Sequence, residues 1–159
     1  MPHVTLITVG TVKEKYLQDC ISEYKKRLSS YSKIEEIEIK EERVVNEDSD
    51  AEIKRVLNTE GEKILAAIPK DARVYALCIE GKQYTSEELA ALIKDSCDST
   101  GKICFIIGSS HGLSDSVKKR ADVRLSFSRL TFPHQLMRAV LFEAVYRSFT
   151  IITGKRYHK

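Results

Sequence analysis

The feature that most constrains this chain is an alternation. Short apolar runs rich in β-branched residues are separated by stretches whose apolar residues recur three and four positions apart. The runs are 4–9, 33–40, 73–79, 102–107 and 122–127. Runs of this length bounded by turn residues read as strands, and helical spacing between them reads as crossovers. Strand–helix repetition of this kind predicts the α/β class, with a mainly parallel sheet and helices on both faces. The chain has 159 residues, enough for one sizeable core, and no stretch rich in Gly, Pro or Ser divides it. A single domain over 1–159 is expected.

The helical segments carry their own signals. Between Lys13 and Leu28, the residues Tyr16, Leu17, Cys20, Ile21, Tyr24 and Leu28 form one stripe. A second helix over 50–68 carries Ile53, Val56, Leu57, Ile64 and Leu65, is weakened at Gly61, and stops before Pro69. Thr85 and Glu88 have the spacing of a capping box, opening a helix that runs to about Asp98. A short helix over 114–120 follows Gly108–Gly112, and Pro133 suits the first position of the last helix. Lys33–Lys40 reads as a strand with one wet face and Glu80-Gly81-Lys82 as a turn. Glu41–Ser49 reads as a mobile charged loop, and the last residues as a tail that frays.

The formal net charge is only +3, but it is unevenly spread. Residues 34–62 hold 11 acids and 4 bases, whereas 118–159 hold 10 bases and 2 acids. A basic end of this kind suits a polyanion partner, and equally a solvated face. None of the four cysteines lies in a C-x-x-C pair. They read as free thiols of a reduced compartment, not as a zinc site or a disulfide framework. Met1-Pro2-His3-Val4 is not a signal sequence, and no run of about 18 apolar residues occurs. A cytoplasmic protein with no membrane and no metal partner is expected.

From His134 to Ile151 polar residues are few. Met137, Leu141, Val145 and Phe149 make one stripe, widened by Val140 and Ala144. Phe142 and Tyr146 add a second apolar side. A helix apolar on more than one side needs more cover than one sheet face gives. A second copy of the chain is the simplest cover, so a homodimer with this helix at its two-fold seam is expected, against a helix buried centrally in a monomer.

Gly108-Ser109-Ser110-His111-Gly112 matches G-x-S-x-G, the nucleophile elbow of serine hydrolases. Asp122 with His134 or His158 would complete a Ser–Asp–His order, although little chain follows the motif to supply them. The same residues work better as a ligand loop, where small residues let backbone approach a flat polar cofactor. The G-x-G-x-x-G pattern and the P-loop are both absent. His134 sits where the helix dipole disfavours its charge. Tyr157-His158 at the end of the chain serves no structural purpose unless something holds it.

Several of these segments together carry a resemblance. They are Ile106-Ile107-Gly108-Ser109-Ser110-His111-Gly112-Leu113, Leu125-Ser126-Phe127-Ser128, and Leu130-Thr131-Phe132-Pro133-His134-Gln135-Leu136-Met137-Arg138. The ending Tyr157-His158-Lys159 belongs with them, as do Val9-Gly10, Lys13-Glu14-Lys15-Tyr16 and Glu60-Gly61. Over its full length the chain resembles the RlmH (YbeA-type) branch of the SPOUT RNA methyltransferases. The resemblance implies an α/β fold with a C-terminal trefoil knot, a homodimer, and S-adenosylmethionine bound in the knot. It implies methylation of N3 of a pseudouridine in 23S ribosomal RNA on assembled ribosomes. By motif match it places Leu77, Gly108, Phe127, Ser128, Arg129, Leu130, Thr131 and Phe132 at the cofactor. Family members commonly carry Gly-Gly where this chain has Gly108-Ser109. A serine there would be strained by about 1–2 kcal/mol if the position needed positive φ.

Under that resemblance, methyl transfer to N3 is a displacement that depends on alignment and on loss of the imide proton. His158 is the first candidate for base or positioning group, Tyr157 for stacking or hydrogen bonding to the nucleobase, and Arg147 completes the catalytic set. Arg138, Lys155, Arg156 and Lys159 are candidates for RNA contacts. Glu143 and Arg147 also have the spacing of an intrahelical ion pair. The rival without chemistry is an RNA-binding module that uses the basic end alone.

Overall fold

The computed structural model describes residues 1–158; the RNA-contact expectation for Lys159 lies outside the described residues. The elements are β1 (His3–Val9), α1 (Lys15–Leu28), β2 (Lys33–Ile39), α2 (Asp50–Ala67) and β3 (Arg73–Gln83). They continue with α3 (Ser86–Ser99), β4 (Lys102–Ile107), α4 (Asp115–Arg120), β5 (Val123–Ser126) and α5 (His134–Ile152). The strands form one sheet in the order β2-β1-β4-β3-β5, with every pairing parallel.

Side chains alternate across a strand, so an all-apolar strand feeds two cores. On β4, Ile103, Phe105 and Ile107 pack with Leu17, Ile93 and Leu141, from α1, α3 and α5. Cys104 and Ile106 face the other way, onto Ile64 of α2 and Val117 of α4. At the first core the buried Tyr75 hydroxyl bonds Ser96 Oγ at 2.6 Å and Leu92 O at 3.1 Å, which satisfies a phenol that would otherwise cost free energy. Three helices have their starts fixed locally. Ser49, Thr85 and Ser114 each accept from a backbone N–H three residues on, and Thr85 with Glu88 completes the capping box. The four cysteines are free, and burial pushes the Cys104 thiol up to about 12.

Three local expectations are corrected. Glu80-Gly81-Lys82 is not a simple turn. β3 continues to Gln83, with Leu77 and Lys82 both paired to Leu125, so residues 78–81 bulge out of the strand. Gly81 permits this because a Cβ there would lie 2.7 Å from the Arg124 carbonyl oxygen. The acidic loop between β2 and α2 is held down. Glu52 accepts from the amides of Val45 and Asn46, Glu60 accepts from the Glu42 amide, and Lys63 pairs with Glu42 at 2.9 Å. The over-apolar helix α5 first finds cover inside its own chain, packed between α1 and α3. Leu141, Phe142, Val145 and Phe149 are buried there, while Leu136 stays exposed and Val140, Ala144 and Ile151 half-buried.

The connections decide where a ligand can sit. β1 leads into α1 and β3 into α3, both on one face of the sheet, whereas β4, which lies between them, leads into α4 on the other face. Loops that part to opposite faces leave a crevice at the carboxyl ends of the strands, where open parallel sheets bind ligands.

Candidate functional site

A cavity of about 580 Å³ opens at the carboxyl ends of β3, β4 and β5, a size usual for small-molecule sites. One wall is the loop Gly108–Leu113. A second is the β3 bulge from Leu77 to Glu80. A third is the segment after β5, and α5 closes the floor with His134 and Met137.

Backbone sterics fix the first wall. A Cβ on Gly108 would lie 2.2 Å from the Gly112 carbonyl oxygen, a clash with main chain that no side-chain movement relieves. The Gly112 amide donates to the Ser109 carbonyl at 2.9 Å, and Gly112 itself has φ 90°, a conformation that suits glycine. Ser109 does not share that need. Asp71 is the only non-glycine residue with positive φ among the described residues, so serine at 109 adds no backbone strain. The third wall is tied by hydroxyls, with Ser126 Oγ donating to the Ser128 carbonyl and the Leu130 amide donating to Ser128 Oγ. At the rim Lys118 of α4 pairs with Glu80 of the bulge and holds its carboxyl below the usual range.

Of the residues expected at a cofactor, Leu77, Gly108, Phe127, Ser128, Leu130, Thr131 and Phe132 line this cavity, and Arg129 points to solvent outside its wall. Cys78, Ile79 and Glu80 were not anticipated there. The bulge that presents them arises from β3–β5 contact, which leaves no local signal. His134 and Met137 also line it, and both belong to the motif segment Leu130–Arg138 that carries the resemblance.

The tail forms a second cluster. The Arg147 guanidinium donates to Glu143 Oε1 at 2.7 Å and to His158 Nδ1 at 3.1 Å. A guanidinium only donates, so Nδ1 carries the lone pair, and Nε2–H donates to Glu87 Oε1 of α3 at 2.7 Å. The Tyr157 hydroxyl donates to Glu143 at 3.2 Å. Its ring meets Tyr146 edge-on at 4.8 Å and lies under Arg147. Burial, then the neighbouring Tyr24 and Glu143, push the Tyr157 phenol up to about 12, so it stays a donor at neutral pH. The expected fraying is therefore corrected for Tyr157 and His158. Lys155 and Arg156 are exposed, with the Lys155 ammonium over the Tyr31 ring.

The tail does not line the cavity. Arg147, which holds His158, lies ten residues beyond Met137 on α5, about 15 Å along the helix at its usual rise. Arg138 is also corrected. Expected to contact RNA, it is only 4% exposed. It donates to the Gly10 carbonyl at 3.1 Å and lies within 3.7 Å of Glu36 and Glu38, so its charge is committed inside the chain. The hydrolase alternative fails on geometry. Ser110 follows the carboxyl end of β4. Asp122 precedes β5 and accepts from the Val74 amide near the start of β3, at the opposite, amino-terminal end of the strands. Among the described residues no His/Cys/Asp/Glu group of metal-site size occurs, and no helix is long and apolar enough to cross a membrane.

Comparison with known proteins extends these observations. A family model described as "Predicted SPOUT methyltransferase" matches residues 2–158. The chain is 53% identical to the "Ribosomal RNA large subunit methyltransferase H" of Bacillus pumilus (strain SAFR-032), over 99% of each chain. It is 52% identical, at the same coverage, to the protein of that name from Listeria monocytogenes serotype 4b (strain CLIP80459). Its fold is similar to the crystal structure of "Probable Methyltransferase from Bordetella pertussis Tohama I", with a TM-score of 0.57 at 12% identity, covering 92% of this chain and 96% of that one.

Proposed function

The chain belongs to the SPOUT methyltransferase family, and from that premise we propose that it is an S-adenosylmethionine-dependent methyltransferase of large-subunit ribosomal RNA, acting on N3 of a pseudouridine in assembled ribosomes. The observation that carries this reading is the cavity, two of whose walls are the loops expected at the cofactor. Its donor set fits the group. Leu77, Leu113, Leu125 and Phe132 offer apolar surface. Ser126, Ser128, Thr131 and the backbone of Gly108–Gly112 offer hydrogen bonds, and the cradle at Gly108 has no space for a side chain. The bound cofactor supplies an electrophilic methyl group on a sulfonium.

The protein's share is binding, alignment and proton management. The Gly108–Gly112 backbone and Leu77 hold one side of the ligand, and Phe127–Phe132 the other, with Arg129 at the solvent edge of that loop. On the substrate side, Tyr157 donates or stacks, Arg147 stays charged beside Glu143, and His158 positions the base or takes its proton. Lys155 and Arg156 hold phosphates, an electrostatic contribution that weakens with salt. The C-terminal trefoil knot of the family accounts for the two loops meeting at one cavity.

A homodimer completes this reading. Two observations support it: the half-buried stripe Val140, Ala144 and Ile151 beside exposed Leu136 on α5, and the tail cluster lying away from its own chain's cavity. A two-fold partner along α5 would cover the first and bring a second tail toward the cavity.

Calorimetry with S-adenosylhomocysteine, followed by methylation of ribosomes in vitro, tests the reading. Binding with one ligand per chain and methylation at a pseudouridine are expected. An RNA-binding module would bind ribosomal RNA but not S-adenosylhomocysteine, and that result would overturn the proposal.

A further inference from the structure

Glu60 is a buried acid with an unpartnered oxygen. It lies on α2 at 1% exposure. One carboxyl oxygen, Oε2, accepts from the Glu42 amide at 3.0 Å, and the other, Oε1, is buried without a partner. Burial raises its pKa. A buried acid with an orphan oxygen costs stability, and such costs concentrate at functional sites.

Its surroundings point to the cavity. The Ser109 hydroxyl lies beside the carboxyl and acts to lower its pKa, and Ser109 is itself a cavity wall. The next residue, Gly61, is pressed onto α4, since a Cβ there would lie 2.3 Å from Ser114 Oγ. The backbone carrying Glu60 therefore cannot withdraw. From the other side, the loop that Glu60 anchors through the Glu42 amide reaches the same cavity wall again, where Glu47 bonds His111 at 2.6 Å.

We infer that Glu60 is a positioning residue for the cofactor loop: its free oxygen takes up the neighbouring Ser109 hydroxyl when ligand is bound, and this sets cofactor affinity. The inference rests on the methyltransferase reading and names a group that acts on the ligand only through Ser109. Hydroxyl donation to a carboxylate is strongest when the acid is ionised. The groups facing it are Glu41 and Glu42 of the β2–α2 loop, which oppose ionisation. Glu42 is itself neutralised by Lys63 of α2. From the β4–α4 loop it meets uncharged Ser109, with His111 engaged by Glu47. Cofactor affinity should therefore strengthen as pH rises through the elevated pKa of Glu60.

The test is S-adenosylhomocysteine calorimetry between pH 5 and 9 on wild type, Glu60→Gln, Glu60→Ala and Ser109→Ala, with thermal melting alongside. Glu60→Ala and Ser109→Ala should each weaken binding by about 10–150-fold, the range of one hydrogen bond to a charged group, and both together by little more than one. Glu60→Gln should keep most of the affinity and lose its dependence on pH. Melting of Glu60→Gln, which keeps an acceptor for the Glu42 amide, should stay level or rise, the reverse of a merely structural role. Wild-type binding matched within twofold by Glu60→Ala or by Ser109→Ala overturns the inference alone. Failure of the wild type to bind overturns the methyltransferase reading as well.

Discussion

The cavity and the tail both lie against α5 and are built by opposite means. The cavity wall at Gly108 is shaped by main chain against main chain, with the Gly112 carbonyl where a side chain would otherwise be. Past a short backbone turn, in which the Lys155 amide donates to the Thr150 carbonyl, the tail is held by side chains, through Arg147, Glu143, Glu87 and the Tyr146 ring. The Glu87 side chain is 64% exposed, so its bond to His158 is screened by solvent and salt. A pre-formed backbone pocket suits a ligand recognised by shape, since it needs no ordering when the ligand arrives. A tail tied by exchangeable hydrogen bonds suits a segment that must leave its partners to meet a macromolecule.

The contrast breaks most directly at Gly108. The substitution Gly108→Ala should cost about 1–3 kcal/mol of overpacking, and so about 5–150-fold in S-adenosylhomocysteine affinity by calorimetry. The tail should be untouched, with Tyr157 fluorescence unchanged. A variant that binds as tightly as wild type would show that the loop yields and that the pocket is not fixed by backbone.

Gly61→Ala probes the support behind the same wall. The new methyl meets Ser114 Oγ, which caps α4 by accepting from Val117. Losing that cap should cost about 1 kcal/mol, and overpacking adds to it, so the urea midpoint should fall at unchanged m-value. Ser114→Gly in the Gly61→Ala background should recover part of the loss, because it removes the clashing hydroxyl.

What the sequence made legible divides along the same line. β4 and the Thr85–Glu88 cap were readable because residues within one element decide them. The cavity loops were readable because the residues forming them are consecutive around Gly108 and Phe127. The β3 bulge was not, since it depends on Gly81 meeting Arg124, a strand distant in sequence. Arg138 looked like a surface cation on a helix. Its burial is set by a carbonyl at Gly10, 128 positions away, and by Glu36 and Glu38 on β2. The latch on His158 joins α3 to the terminus over 71 positions. Long-range pairs of single polar residues leave no period to detect, and the tail was therefore read as loose.

Arg147→Ala sharpens the tail half of the comparison. It removes the partner of His158 and of Glu143 together, yet stability should fall by no more than about 1 kcal/mol, because partly exposed ion pairs contribute little. Affinity for S-adenosylhomocysteine should stay within about twofold, since the cluster lies off the cavity, while methylation of ribosomes should drop steeply. If cofactor affinity fell as much as activity, the tail and the pocket would be one site and the contrast would be wrong.

The smallest effect is spectroscopic and concerns Tyr157. Its phenol is pushed up to about 12 by burial first and then by Tyr24 and Glu143. Its folded pKa thus lies above the unfolded value of about 10. The sign follows from linkage. A group whose folded pKa is raised stabilises the fold fully below its unfolded pKa and loses that contribution as pH climbs through the folded one. The window is therefore from about 10 to about 12, and nothing changes at neutral pH. Of the seven tyrosines, Tyr75 is also raised, by its burial, so absorbance titration of the folded protein should show two late phenols. Tyr157→Phe should leave one and flatten the alkaline loss of stability, whereas Tyr75→Phe should remove the other and break the Ser96 bond as well. If Tyr157→Phe changed neither the late phase nor the alkaline unfolding, the tail would be free in solution, and its latch onto α5 would be an arrangement the molecule visits but does not keep.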